Sequence, residues 1–233
     1  MKDILMEYGI FSSDEACEKL QQYCGMLIEK NKVMDLTNVP EEEIPERHFV
    51  DSLLPLRFDL IPENGSLADV GTGAGFPGMP IAIMNPKLNV TLIDAQEKRC
   101  AFLREVKEKL ALHNVTVLHM RAEDAGKNKS LRASFDVCTA RAVAPLNVLE
   151  EYLIPLIRKG GCALCWKGPG VKEELPAAIR ASRILNAVTE EPFLMPMPGM
   201  QHYIVKVVKC GDTPNVYPRK NGTPSKQPLG TEK

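Results

Sequence analysis

From Leu67 onward, short apolar runs alternate with helical patterns, and this alternation leaves few architectures open to the chain. The runs at 67–70, 90–94, 115–119, 135–139 and 162–167 are apolar on both sides of the pleat. That is the pattern of strands buried in a parallel sheet, and the helical stretches between them supply the crossovers that parallel pairing needs. The clearest helical stretch, about 96–112, turns Phe102, Leu103, Val106 and Leu110 inward and leaves Lys98, Arg99, Arg104, Lys107 and Lys109 outward. Two further extended runs, 187–195 and 201–208, are separated by a few residues that include Pro196, Pro198 and Gly199. That loop is too short for a crossover helix, so the pair is expected to be antiparallel.

The segment before Leu67 has another texture. Ser12-Ser13-Asp14-Glu15 has capping-box spacing ahead of Ala16, Leu20, Tyr23, Leu27 and Ile28, which predicts a helix over about 13–31. Asn31 to Pro40 reads as a loop, and Pro45 opens a second helix with Phe49, Leu53 and Leu56 facing in. Residues 211–233 hold seven Pro or Gly with basic residues among them, the composition of a mobile tail. The organisation expected is a helical lobe over 1–66, a sheet domain over 67–210 and a basic tail over 211–233.

Charge sharpens the division. The formal net charge of -1 conceals 6 basic and 14 acidic side chains in residues 1–66, against 23 basic and 16 acidic thereafter. A balance of +7 in the second part suits a polyanionic partner. No run approaches the roughly 20 apolar residues that cross a bilayer, and Met1-Lys2-Asp3-Ile4 starts no signal peptide, so a cytoplasmic protein with no membrane partner is expected. The seven cysteines are then expected as reduced thiols.

The sharpest motif is Leu67-Ala68-Asp69-Val70-Gly71-Thr72-Gly73-Ala74-Gly75-Phe76-Pro77-Gly78, with four glycines directly after the first strand. Glycine there lets the backbone turn tightly and approach a ligand at the carboxyl edge of the sheet. No Gly-Lys-Ser/Thr follows, which excludes a nucleoside triphosphate loop. Gly73, Gly75 and Gly78 do have dinucleotide spacing, but counted from Gly71 the last position is Phe76. Asp69 would oppose a pyrophosphate and suit a cationic ligand such as S-adenosylmethionine. Asp94, 23 residues after Gly71 at the end of the second strand, is placed to accept the hydroxyls of a ribose, which either cofactor carries. Ala122-Glu123 and Arg141 follow the third and fourth strands, where Glu123 or the amides beside it suit an adenine edge and Arg141 a carboxylate or phosphate.

Together with Asp69–Gly78, the segments Arg47-His48-Phe49-Val50-Asp51-Ser52-Leu53, Asn31-Lys32-Val33-Met34-Asp35-Leu36-Thr37, Ala140-Arg141-Ala142 and Tyr217-Pro218-Arg219-Lys220 resemble the ribosomal RNA small subunit methyltransferase G family, once called glucose-inhibited division protein B. The resemblance covers nearly the whole chain. It departs slightly at Phe76, where many relatives carry Leu, and at Asn221, where Ala is common. It implies an α/β class I methyltransferase fold, with a seven-stranded, mostly parallel sheet, one antiparallel strand and the helical lobe in front. It also implies transfer of a methyl group from S-adenosylmethionine to N7 of one guanosine in 16S rRNA, with cofactor contacts at Gly71, Phe76, Ala122, Glu123 and Arg141 beside Asp69, Gly73, Gly75 and Asp94. The RNA, free or in the small ribosomal subunit, would be gripped by Arg99, Arg104, Lys107, Lys167, Arg219, Lys220 and Lys226. A monomer without a metal is expected, and no general base, because N7 carries a lone pair and no proton. A small-molecule methyltransferase, a nucleotide-binding regulator without turnover and a dinucleotide oxidoreductase are the competing readings.

Three features are expected to carry no chemistry. Cys162 and Cys165 have C-x-x-C spacing, but three residues apart on a strand they face opposite sides. His48, His113, His119 and His202 are scattered, and His48 reads as a lobe contact. Trp166 suits base stacking or packing equally.

Overall fold

The structure, a computed structural model, describes residues 1–141, 143–197 and 199–231; Ala142 and Pro198, both named above, lie outside them. In chain order the helices are α1 (Lys2–Glu7), α2 (Asp14–Asn31), α3 (Asp51–Arg57), α4 (Gly78–Met84), α5 (Glu97–Lys109), α6 (Ala122–Lys127), α7 (Leu146–Leu153), α8 (Val171–Ile184) and α9 (Thr223–Lys226). The strands are β1 (Gly65–Val70), β2 (Leu88–Asp94), β3 (Val115–His119), β4 (Phe135–Arg141), β5 (Ile157–Lys167), β6 (Ala187–Thr189), β7 (Phe193–Met195) and β8 (His202–Lys209). Contacts group the chain into two units: Met1–Gly65 with Thr72–His119, and Ser66–Gly71 with Met120–Lys233.

In the first unit, α2 starts one residue later than capping-box spacing suggests. Ser13 is the cap, its Oγ accepting from the Ala16 amide at 3.1 Å. Glu15 is thereby too early in the helix to reach back, and pairs forward with Lys19 at 2.8 Å instead. Tyr23 and Leu27 on its inner side are fully buried. A π-helical turn, Pro45–Val50, runs directly into α3 and buries Phe49 and Leu53, while Leu56 is only half-buried. The loop after α2 folds around Asn31, whose Oδ1 accepts from the amides of Leu36 (2.9 Å) and Thr37 (3.0 Å) while its Nδ2 donates to the Thr37 carbonyl. β2 and β3 pair in parallel, with Val90 opposite Val115 and Asp94 opposite His119, and α5 lays Phe102, Leu103, Val106 and Leu110 inward as its pattern predicts.

In the second unit β1, β4 and β5 are parallel, and β8 runs antiparallel to β5. β6 and β7 are both antiparallel to β8, so β8 is the single strand that opposes its neighbours. The sequence suggests one run over 187–195 and hence seven strands. Among the described residues there are eight, because Glu190-Glu191-Pro192 interrupts that run and Pro192 has no amide for the ladder.

Every residue of α7 is buried, including Glu150 and Glu151. A helix buried all round needs cover on every face, and residues 211–231 supply part of it. Glu151 holds Arg219 through both guanidinium nitrogens facing it, Nη2 at 2.6 Å and Nε at 3.0 Å, and through the Arg219 amide at 2.8 Å. Asn147 donates to the Leu229 carbonyl, Tyr152 meets the Ser225 hydroxyl, and Arg132 donates to the carbonyls of Thr213, Pro214 and Tyr217. The tail is therefore docked rather than mobile. Its Pro and Gly residues serve an irregular path along the protein surface, and the anchor is a buried carboxylate that must be neutralised.

Glu150 is the other buried carboxyl. Its Oε1 accepts from the Thr189 hydroxyl at 2.7 Å, Oε2 has no partner, and burial raises its pKa from 4.5 to about 8. The folded protein holds this proton where the unfolded chain has lost it, so stability falls as pH rises from 4.5 to about 8, by roughly 1.4 kcal/mol per unit. Glu150→Gln should raise the melting temperature, with a gain that grows from pH 5 to pH 8 and then levels; a gain equal at all pH values would refute the shift. Arg219→Ala strands Glu151 and should lower unfolding free energy by about 3–5 kcal/mol in denaturant titration, whereas Lys220→Ala, at an exposed position, should leave it nearly unchanged.

Candidate functional site

In the first unit the glycine loop is held by a strand outside it and by its own turn. The Thr72 amide donates to the Ile93 carbonyl at 3.2 Å, and the amides of Gly75 and Phe76 both turn back to the Thr72 carbonyl. Gly73 and Gly75 have φ of +60° and +106°, a region that side chains disfavour. They differ in surroundings. A Cβ on Gly73 would meet nothing within 4 Å, so the loop leaves open space there, whereas one on Gly75 would overlap the Tyr23 hydroxyl and approach Leu103 Cδ2 to 2.8 Å. The Tyr23 hydroxyl donates to the Ala74 carbonyl.

Phe76 is 4% exposed, and its ring stacks on His48 (centroids 4.7 Å apart) and on Tyr23 (5.4 Å). His48 Nε2 lies 2.6 Å from the Thr37 hydroxyl, within the loop that Asn31 organises. The two family segments at 31–37 and 47–53 thus meet behind the glycine loop, and the Phe76 ring is taken up by these contacts. Sequence reasoning placed Tyr23 in the core and missed its hydrogen bond; the buried hydroxyl, which must find an acceptor, was the available signal.

Asp94, 4% exposed, ends β2. Its Oδ2 accepts from the Gly73 amide at 2.9 Å and its Oδ1 from the Gln96 amide at 2.8 Å, while Arg99 Nη1 stands 3.9 Å away. Each carboxylate oxygen accepts two bonds, so capacity remains for two hydroxyl donors.

In the second unit, Asp69 is fully buried and accepts from the Thr139 hydroxyl at 2.9 Å. Gly71 packs so closely on Val143 that a Cβ would come within 2.7 Å of Val143 Cγ2. Arg141 ends β4, paired in register with Trp166 of β5. Ala122 and Glu123 open α6; Glu123 is 5% exposed and its Oε1 accepts from the Gly222 amide at 2.7 Å, beside a 3.0 Å contact between Asn221 and Asp124.

The cations expected to grip RNA differ in availability. In the first unit Arg104 pairs with Glu97 at 2.7 Å, Arg99 leans toward Asp94, and Lys107 is half-buried. In the second, Lys167 pairs with Glu174 at 2.7 Å and Arg219 belongs to Glu151, while Lys220 and Lys226 are exposed. Trp166 is buried at 4%, which makes it a packing residue. Cys162 and Cys165 are free thiols, both pushed up in pKa by burial. Among the described residues no group of three or more His, Cys, Asp or Glu is arranged to hold a metal ion, and no helix is long and apolar enough to cross a membrane.

The family model for rRNA small subunit methyltransferase G matches residues 16–194. The ribosomal RNA small subunit methyltransferase G of Alkaliphilus metalliredigens is 41% identical over 232 residues, covering 98% of this chain and 97% of that protein. That of Lactococcus lactis subsp. cremoris is 42% identical over 228 residues, covering 97% and 96%. Among solved structures, the precorrin-6y C5,15-methyltransferase of Geobacter metallireducens aligns with a TM-score of 0.50 at 13% identity, covering 69% of this chain and 87% of that one. A 16S rRNA (adenine-N1)-methyltransferase from Catenulisporales acidiphilia, solved with its cosubstrate, gives 0.50 at 16% identity over 64% of this chain and 86% of that one. These structures share the class I methyltransferase fold. With relatives aligned from the helical lobe through the glycine loop into the tail, the chain belongs to the ribosomal RNA small subunit methyltransferase G family.

Proposed function

We infer that this protein methylates N7 of a guanine in 16S ribosomal RNA, using S-adenosylmethionine. The observation that carries the reading is the glycine loop with Asp94 beneath it: open space at Gly73, and a buried carboxylate with acceptor capacity left after binding the Gly73 amide. Those features fit a nucleoside whose ribose hydroxyls donate to Asp94. Asp69, Gly71, Gly73, Gly75 and the Phe76 main chain would hold the methionyl end, Ala122 and Glu123 the adenine, and Arg141 the carboxylate or the substrate. When bound, the cofactor supplies a methyl group on a sulfonium centre.

Guanine N7 attacks that methyl carbon with its in-plane lone pair; the N7–C bond forms as the S–C bond breaks, and no proton moves. The protein therefore needs no general base, and its contribution is alignment, which by itself is worth effective molarities of about 10⁵ M or more. Positive charge passes from sulfur to the purine, so a carboxylate beside the sulfonium would stabilise the starting state. The Thr139 hydroxyl bound to Asp69 and the two backbone amides bound to Asp94 would lower the negative charge each presents to the sulfonium. We read the enzyme as a cytoplasmic monomer acting on RNA or on the small subunit without a metal.

The deciding experiment is transfer of labelled methyl from S-adenosylmethionine to small-subunit RNA or particles that lack the modification, with mapping of the labelled base. Label on N7 of a single guanine supports the reading, and label on small molecules alone overturns it. Asp94→Asn should raise the dissociation constant for S-adenosylhomocysteine about tenfold or more by calorimetry, since hydrogen bonds to a charged acceptor contribute about 1.5–3 kcal/mol. Joint replacement of Lys220 and Lys226 by alanine should flatten the dependence of log affinity on log salt by roughly 1.4–1.8; an unchanged slope removes the tail from the RNA interface.

A further inference from the structure

We propose that the docked C-terminal segment is a positioning element for the cofactor, acting through the hydrogen bond from the Gly222 amide to the Glu123 carboxylate. This rests on the reading of Ala122 and Glu123 as the adenine contacts. The first turn of α6 has no side-chain cap of its own; Arg121, the residue before it, makes no capping bond. The turn is held from outside. The Gly222 amide donates to Glu123 Oε1 at 2.7 Å, Asn221 Nδ2 donates to Asp124 Oδ2 at 3.0 Å, and Pro218 presses so closely on Gly126 that a Cβ there would lie 2.7 Å from the proline ring.

The segment that makes these contacts is itself anchored away from Glu123. Arg219 is locked to the fully buried Glu151, and Arg132 holds three carbonyls upstream of it. Gly222 takes φ +78°, and a Cβ on it would touch nothing within 4 Å. Glycine at this position serves the backbone geometry that aims its N–H at Glu123, not a steric need. The bond leaves the second oxygen of Glu123 for a ligand donor, such as an exocyclic amine, and fixes which way that oxygen faces. Glu123 thus reaches the cofactor with its rotamer already chosen, and the ordering cost is met by the fold rather than by binding.

Linkage makes the effect reciprocal: a segment that favours the cofactor is in turn held by it. Two measurements on the full chain test this. Limited trypsin digestion should show slower cleavage after Lys220 and Lys226, both exposed, when S-adenosylhomocysteine is saturating. Gly222→Ala strains the turn without filling occupied space. It should weaken S-adenosylhomocysteine binding about three- to tenfold and raise KM for the cofactor, with kcat and KM for RNA little changed; a merely structural role would lower the melting temperature and leave that split absent. Equal cleavage with and without S-adenosylhomocysteine, or equal affinity in wild type and Gly222→Ala, overturns the proposal. If wild type binds no S-adenosylhomocysteine at all, the functional reading fails instead. Should the variant not fold, the cleavage comparison on wild type still decides.

Discussion

The first unit is organised around a loop that its own turn does not fully fix. Residues 72–75 offer almost no side chain to pack, and two of them take left-handed backbone angles, so the bonds back to the Thr72 carbonyl are joined by groups that reach the loop from other elements. Asp94 does so from one side by accepting the Gly73 amide, and Tyr23 does so from another by donating to the Ala74 carbonyl. Gly75 is glycine because Tyr23, Leu103 and Met79 have taken the space a Cβ would need. Helix α2 is therefore part of the loop's support, and so is the chain of contacts from Asn31 through Thr37 and His48 to the Phe76 ring. The series is short-ranged at each link, beginning in polar contacts at Asn31 and ending in aromatic stacking at Phe76. Such a series fixes an orientation more firmly than apolar packing alone.

The second unit answers a different constraint, two adjacent carboxyls inside a helix with no exposed face. They are resolved in opposite ways. Glu151 is met bidentately by Arg219, a geometry that compensates desolvation. Glu150 has the Thr189 hydroxyl and the Ser182 backbone beside it but no cation, so burial outweighs them and drives it toward the neutral acid. The first solution recruits residues far along the chain and thereby sets the path of the C-terminal segment; the second remains local to α7 and β6. Neighbours in sequence thus contribute differently to stability, and the raised pKa of Glu150 makes it depend on pH near neutrality.

What the sequence discloses and what it conceals follow from range. Strands 1 to 5, helix α5 and the antiparallel pairing of β8 were legible because apolar periodicity and connection length are local properties. The glycine loop was legible because its composition has few other uses. The break at Glu190-Glu191-Pro192 was also written in the residues, two charges and a proline in a short run, but was absorbed into the extended pattern around it. The docking of the tail was not legible from the tail itself, whose Pro and Gly content suits a mobile segment equally. Its signal lay 68 residues upstream, in two acids placed within the largely apolar Leu146–Leu156, where burial demands a partner. The bond between Gly222 and Glu123 uses a backbone donor, which no side-chain pattern reports.

Charge asymmetry needs the same correction from counting to placement. A balance of +7 after residue 66 suggests a broad basic surface, yet several of these cations are committed to holding the second unit together. Arg132 gives its guanidinium to the carbonyls of Gly126, Thr213, Pro214 and Tyr217, and Lys209, 2% exposed, gives its ammonium to those of Ile154 and Ile157. Burial lowers the pKa of both, the mark of a cation serving backbone acceptors rather than solvent. Arg158 pairs with Asp136, Lys167 with Glu174 and Arg219 with Glu151. Counterion release on RNA depends on the charges that still face water. Among the described residues of the tail these are Lys220 and Lys226, which flank the turn that carries Gly222. The same short segment therefore presents the Lys220 and Lys226 side chains to solvent and the Gly222 amide to Glu123.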